Sequence, residues 1–369
     1  MPSHTPLSAL HRAAGASFTD LAGFEVPAHF GDPNLEYQTA LAGAALFDRT
    51  PTGKVEVSGK DAPSFLHNLC TNDINGLPLG GGCEVYFCDH RAKVLAQALV
   101  FHILSGGHHA FWLDVAPGFN DKVLKHLDKH LISEAVELAD QTGRFAQLHL
   151  AGPRAKAVLE GAIGEPMPDL AEFLHMERTF GSTATCSVRR NDPLGVPGYD
   201  LVCLNERAEG VWRMLQSAGA VPAGQVAWET LRVEASTPVY GIDIGEDRFV
   251  MEVARASRAV SYSKGCYLGQ EPIVMARDRA GFVNRSFLGV RVLDAGLLPA
   301  GTKLFREGNE VGLVTSCIHS PRLDAPLALG YIRRGHQEPG LRLEAALPDG
   351  RRAVEVLTFP PFPTVPASG

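Results

Sequence analysis

Cys266 stands two residues after Lys264 and five before Glu271 in the segment Lys264-Gly265-Cys266-Tyr267-Leu268-Gly269-Gln270-Glu271. An ammonium so close to a thiol favours the thiolate, which is the nucleophilic and metal-binding form. Gly265 and Gly269 let the backbone come near a ligand. The chemistry this pattern allows is nucleophilic attack, thiol exchange or transient metal ligation at Cys266, with Lys264 as activator. A structural cysteine in a tight loop is the competing reading, because free cysteine usually packs as a small hydrophobe. No histidine lies close in sequence to act as base, and Glu271 can pair with Lys264 and blunt its effect. One cysteine cannot hold an iron–sulfur cluster alone, for which four sulfur ligands are customary.

The elements that must position this segment read as strands alternating with helices. Residues 8–50 read as a helical approach with loops. Lys54–Gly59 alternates polar and apolar residues like a half-buried strand, and Asp61-Ala62-Pro63 opens a helix with an acidic cap and a first-turn proline. Glu84–Cys88 and Val94–Ile103 form a hairpin about the polar turn Asp89–Lys93, followed by a strand at Phe111–Val115 and an amphipathic helix over Asn120–Leu131. From about residue 145 the same grammar repeats: strands at 146–152, 184–189 and 199–203, helices at 153–159 and 210–218. No glycine-rich phosphate fingerprint of a dinucleotide fold is present, so an α+β class is expected. Past residue 284 short strands divided by Gly, Pro and Asp turns predict an all-β barrel. The domains expected are 1–283, made of two interleaved α+β parts, and 284–369. The proline-rich end, Phe359–Pro363, reads as a tail laid against the body.

Composition narrows the function classes. The 369 residues are 45% hydrophobic and 20% charged, with a formal net charge of −7, so no general basic field draws the chain onto nucleic acid or anionic lipid. The start, Met1-Pro2-Ser3-His4, lacks the charged head and apolar core of a secretory signal, and no apolar run is long enough for a bilayer. Seven cysteines, an odd number, fit reduced thiols in a cytoplasmic protein better than a disulfide framework. Cys83 and Cys88 have a spacing seen in zinc sites, but Glu84–Phe87 between them reads as strand and no second ligand pair is near; no metal is expected.

Lys264–Glu271 resembles the signature of the YgfZ proteins, folate-binding relatives of the glycine-cleavage aminomethyltransferase. Ala276-Arg277 and Asn284-Arg285 resemble the family's basic continuation, although Pro272–Met275 makes the spacing longer than usual. Further segments resemble the wider aminomethyltransferase superfamily: Thr52–Ala62 with Phe65-Leu66 and Thr71-Asn72-Asp73, Leu231–Ala235 with Pro238–Gly241, and Gly312–Ser316 with Ser320-Pro321 and Ala328–Tyr331. The resemblance implies three domains in a ring about a folate channel, with tetrahydrofolate as the ligand. It places Asp200, in Gly198-Tyr199-Asp200, at the family's acidic position, where a carboxylate can accept two adjacent pterin N–H groups. Arg232 and Tyr240 are expected to close the pocket, with Tyr199 and Gln270 beside them.

The resemblance also separates two functions. The aminomethyltransferase strand resembles Ile-Leu-Asp-Asp-Leu, and an aspartate there assists transfer; this chain has Val94-Leu95-Ala96-Gln97-Ala98. Neither alanine nor glutamine accepts a proton near neutral pH, though Asp89 or Asp114 could substitute. The expectation is therefore a folate-binding protein that supports assembly or repair of iron–sulfur enzymes, including tRNA-modifying radical enzymes, through Cys266 and Lys264. Its partners would be folate and iron–sulfur clients, with no direct nucleic acid and no membrane. The alternatives are a tetrahydrofolate-dependent aminomethyltransferase and a non-catalytic folate-gated scaffold.

Overall fold

The computed structural model describes residues 2–182 and 184–362; Met1 of the N-terminal segment and Pro363 of the proline-rich end lie outside them. The alternating patterns fold into two sheets. The first has strand order Gly82–Cys88, Val94–Ser105, His108–Val115, Gly53–Ser58, Glu137–Asp140. Val55, Val57, Val85, Ala96, Ala98 and Leu113 project from one face onto the helices Ala62–Leu69 and Asn120–His130 through Phe65, Leu66, Val123 and Leu127. Asp61 does not cap the first of these helices. Its Oδ2 accepts the Ala135 N–H at 2.8 Å, which ties the helix entry to the chain leading into the edge strand.

The second sheet runs His175–Phe180, Ala184–Arg190, Gly198–Leu204, Phe145–Ala151, Ala45–Asp48, Val221–Pro222. It buries Leu148, Leu150, Val188, Tyr199 and Leu201 against the helices Ala155–Ile163 and Asn205–Ser217. Residues 8–50 differ from the helical approach expected. Besides the helices Ser8–Ala13 and Pro33–Ala42 they carry the strands Ser17–Leu21, Phe24–His29 and Ala45–Asp48. The last is fully buried and pairs with Phe145–Ala151. Its partner lies about a hundred residues away, so no local pattern reveals it.

Arg285–Val292 opens a closed six-stranded barrel that continues through Ala325–Arg333, Asn309–Ser320, Lys303–Arg306, Arg342–Leu347 and Gly350–Val356. The architecture is the α+β type with a terminal barrel. The helix Gln225–Glu234 joins barrel to body with buried polar bolts. Glu234 accepts from Tyr37 Oη at 2.7 Å and from Ser320, while Asp243 accepts from Thr315 Oγ1 at 2.6 Å and Ser316 Oγ at 2.7 Å. Phe359 and Phe362 pack beside Phe287 and Leu327, and Arg322 lies 3.9 Å over the Phe362 ring.

Candidate functional site

Strand alternation sends one set of side chains from each sheet into the seam between them. In the second sheet Phe47, His149, Asp200 and Arg189 are direct neighbours across adjacent strands. Opposite them, Gln97, Leu99 and Asp114 come from the first sheet and with Asp200 line a cavity of about 160 Å³, to which Arg49, Asn191, Trp228 and Tyr240 also contribute. A larger cleft of about 770 Å³ opens at the other end of the seam. The smaller one is the better candidate, because two carboxylates, a cation, amides and aromatic faces converge on it.

Environment divides the two carboxylates. Asp200 is 3% exposed; its Oδ1 lies 2.8 Å from His149 Nδ1 and its Oδ2 accepts from Asn191 Nδ2 at 2.6 Å. Burial alone would push its pKa up, but His149, Asn191 and Arg189 hold it below the ordinary carboxylate value. Asp114 accepts from Arg189 Nη1 with both oxygens, at 3.0 and 2.9 Å, from Trp112 Nε1 at 2.9 Å and from Gln147 Nε2 at 3.3 Å. Burial raises its pKa, and the pull of Arg189 does not cancel that when the Asp200 charge adds to it. One carboxylate is thus held as a pure acceptor and the other is biased toward keeping a proton. Beneath them Lys54 is fully buried, donates to the Thr50 and Thr52 carbonyls at 2.9 and 2.7 Å, and has its pKa brought down to about 8 by burial.

Gln97 stands where the sequence lacks an aspartate, and its neighbour Ala96 turns into the core of the first sheet. Gln97 Nε2 donates at 2.6 Å to Glu84, a fully buried carboxylate that also takes Arg255 Nε and Nη2. Anchoring the amide nitrogen there leaves the Gln97 carbonyl as the cavity-side acceptor. Tyr240 lines the same cavity, donates its hydroxyl to the Leu95 carbonyl and receives Lys122 Nζ at 2.7 Å.

The remaining expected residues lie elsewhere. Arg232 is buried in the joint to the barrel, with Nε 2.7 Å from Glu229, Nη1 2.9 Å from Asp243 and Nη2 3.0 Å from Ser316 Oγ. Tyr199 points into the second sheet's core, as alternation from Asp200 requires. Gln270 begins the short helix Gln270–Met275. Lys264 Nζ donates to the carbonyls of His67, Cys70 and Asn72, so its three protons serve the end of the Ala62–Leu69 helix rather than Cys266. Cys266 is exposed. Gly269, at φ +85, lets this loop dock on the hairpin turn, since a Cβ there would lie 2.7 Å from the Asp89 carbonyl oxygen. Asp89 itself closes that turn by accepting the Arg91 and Lys93 N–H groups, both at 2.8 Å.

Sequence reasoning missed Arg49, stacked 4.0 Å over Trp228, and the pair His149 and Asn191. A signal was present: in Ala146-Gln147-Leu148-His149-Leu150 the polar residues fall on alternate positions, which is the site face of a strand.

Two interdigitating α+β sheets, a closed terminal barrel and a carboxylate-lined cavity in the seam define a fold of the aminomethyltransferase type. The GCVT N-terminal domain family matches residues 7–264, and the glycine cleavage T-protein C-terminal barrel domain family matches residues 285–363. The chain belongs to the glycine cleavage T-protein family. It is 28% identical over 340 residues to an aminomethyltransferase of Clostridium botulinum (strain Okra / Type B1), covering 91% of this chain and 90% of the relative. It is 27% identical over 344 residues to an aminomethyltransferase of Bacillus subtilis (strain 168), covering 92% and 93%. The crystal structure of the glycine cleavage system aminomethyltransferase T from Bartonella henselae shares the fold, with a TM-score of 0.88, 24% identity and 99% of each chain covered.

These relatives overturn the expected role in iron–sulfur assembly. They extend along nine-tenths of the chain and carry the aminomethyltransferase name, whereas the iron–sulfur reading rested on the Lys264–Glu271 segment with its basic continuation and on the Ala96-Gln97 replacement. In that segment the amine meant to activate the thiol is committed to backbone carbonyls. No helix among the described residues is long and apolar enough to cross a membrane.

Proposed function

We propose that the chain is a tetrahydrofolate-dependent aminomethyltransferase of the glycine cleavage type. The observation that carries this is the pair Asp200 and Asp114 in one cavity with their proton affinities pushed apart, in a chain whose full-length relatives are named for that activity. Asp200 accepts the paired N–H donors of the pterin, while Trp228 and Tyr240 supply aromatic walls. Asp114 is the acid–base candidate in place of the missing aspartate. In the reaction a carrier thioether S–CH2–NH2 gives its carbon to N5 and N10 of tetrahydrofolate. The two folate N–H hydrogens leave, one on ammonia and one on the carrier thiol. The experiment is to supply an aminomethylated lipoyl carrier and tetrahydrofolate and to follow methylene-tetrahydrofolate and ammonia. Formation of both in equal amounts is expected; tight folate binding with no turnover would overturn the transferase reading.

Gln97 favours a second reading. An amide tied to Glu84 accepts hydrogen bonds but takes no proton, which suits a folate-gated scaffold that binds without transferring. The YgfZ-type branch within the family rests on the resemblance of Lys264–Glu271 with Ala276-Arg277 and Asn284-Arg285, and belongs with this non-transferring alternative.

A further inference from the structure

Asp200 is held from behind by two groups whose roles nothing above assigns. His149 is 0% exposed, does not line the cavity, and sits edge-on to Trp228 with ring centroids 5.1 Å apart. Its Nδ1 faces Asp200, while its buried Nε2 has no hydrogen-bond partner. That asymmetry fixes the tautomer. A ring proton on Nε2 alone would lack an acceptor and would turn the Nδ1 lone pair against the carboxylate; the proton facing Asp200 is therefore on Nδ1. Asn191, half-buried on the cavity wall, takes the other oxygen at 2.6 Å. Gly198 makes room for both, since a Cβ there would stand 2.5 Å from the Asn191 carbonyl oxygen and 2.9 Å from His149 Nε2.

We infer that His149 and Asn191 form a rear clamp that positions Asp200, turning the free lone pairs of its two oxygens into the cavity and selecting ligands that present two adjacent N–H donors on a planar edge. The clamp deepens the folate reading and rests on it. Each rear donor occupies one lone pair per oxygen, so the carboxylate cannot rotate away, and the remaining pair sits at the spacing of an amino group beside a ring N–H. His149 and Asn191 are positioning residues, because neither needs to touch the ligand's reacting atoms.

The test is a calorimetric titration of the full chain with tetrahydrofolate, comparing wild type, His149→Leu and His149→Asn. Leucine fills the space without a donor, while the asparagine amide nitrogen falls near the position of Nδ1. His149→Leu is expected to weaken binding by about tenfold to a hundredfold, as loss of a hydrogen bond to a charged group does. His149→Asn is expected to recover most of the loss, which a purely space-filling role would not produce. Equal affinity in wild type and His149→Leu, or equal loss in both variants, overturns the clamp. If His149→Leu does not fold, Asn191→Ala removes the other donor from a half-buried position and is read against the same limits. A wild-type chain that takes up no tetrahydrofolate overturns the folate reading itself, so the two failures are told apart by the first titration.

Discussion

Reactive side chains gather both in the Lys264–Glu271 loop and in the sheet seam, yet the fold uses them in opposite ways. In the loop the conspicuous groups hold architecture together: Lys264 closes the end of a helix and Gly269 admits the hairpin turn. In the seam, ordinary-looking strand residues such as Gln147, His149, Asp200 and Arg189 are stacked into a charged wall. A cluster along the sequence thus became a joint, and residues scattered over it became a site. Long-range strand pairing makes the second kind of cluster, and it can concentrate charge only because each member finds a partner within the wall.

The sharpest way to break this contrast is to remove Lys264. Lys264→Met leaves the buried carbonyls of His67, Cys70 and Asn72 without their donor, and should cost about 3 kcal/mol of stability in urea unfolding. Cys266→Ala, at an exposed position, should change stability by under about 0.5 kcal/mol. If the two variants unfold alike, the loop is not the joint described. In the seam, Asp200→Ala should weaken tetrahydrofolate binding about a hundredfold, because it removes the charged acceptor proposed to face the pterin, while Cys266→Ala should bind like wild type. A folate affinity that follows Cys266 instead would move the site back to the loop.

A pH measurement probes the charged wall from below. The Lys54 pKa falls from the usual 10.5 to about 8 in the folded chain because of burial. Between those values the unfolded chain binds a proton that the folded chain does not, so this group makes stability rise as pH goes from about 8 to 10.5. Buried thiols act in the other direction; burial pushes Cys70 up to about 11, so the unfolded state gains charge first as pH rises. The informative quantity is therefore wild type minus Lys54→Met. It should grow in favour of wild type by up to about 3 kcal/mol between pH 7 and pH 10.5. A flat difference would mean that Lys54 is not desolvated under the cavity.

Much of this wall was legible before folding. The strand patterns at 54–59, 84–88 and 94–103 match elements of the first sheet, and the Gly/Pro/Asp-punctuated end forms the barrel. Asp200, which lines the cavity, drew notice because its neighbours resemble a known motif. His149 was hidden: a histidine flanked by leucines reads as core unless the alternation with Gln147 is weighed. Arg232 looked like a ligand group from its segment, but its partners Asp243 and Ser316 are far enough along the chain that only the joint to the barrel reveals them. The Lys264 staple was hidden for the same reason, since its acceptors lie nearly two hundred residues upstream.

The smallest expected effect concerns Gln97 and decides between the two functional readings. Gln97→Asp places a carboxyl on the cavity side of the Val94–Ser105 strand, one methylene short of Glu84 and so withdrawn from direct contact. The Glu84 charge raises the new group's pKa toward neutrality, while Arg255 and Arg258, which both pair with Glu84, limit the repulsion. A carboxylate tuned in this way is a better base at pH 7 than an ordinary one. Gln97→Asp should therefore raise the aminomethyl transfer rate by about tenfold, with a rising limb in the pH profile added to any that Asp114 gives the wild type and little change in folate affinity. Ala96→Asp should give no such gain, because that side chain enters the first sheet's core and leaves an unpaired carboxyl there. Acceleration by the Gln97 variant alone would show a transferase slowed by one residue, whereas silence from both, with folate still bound, would favour the scaffold.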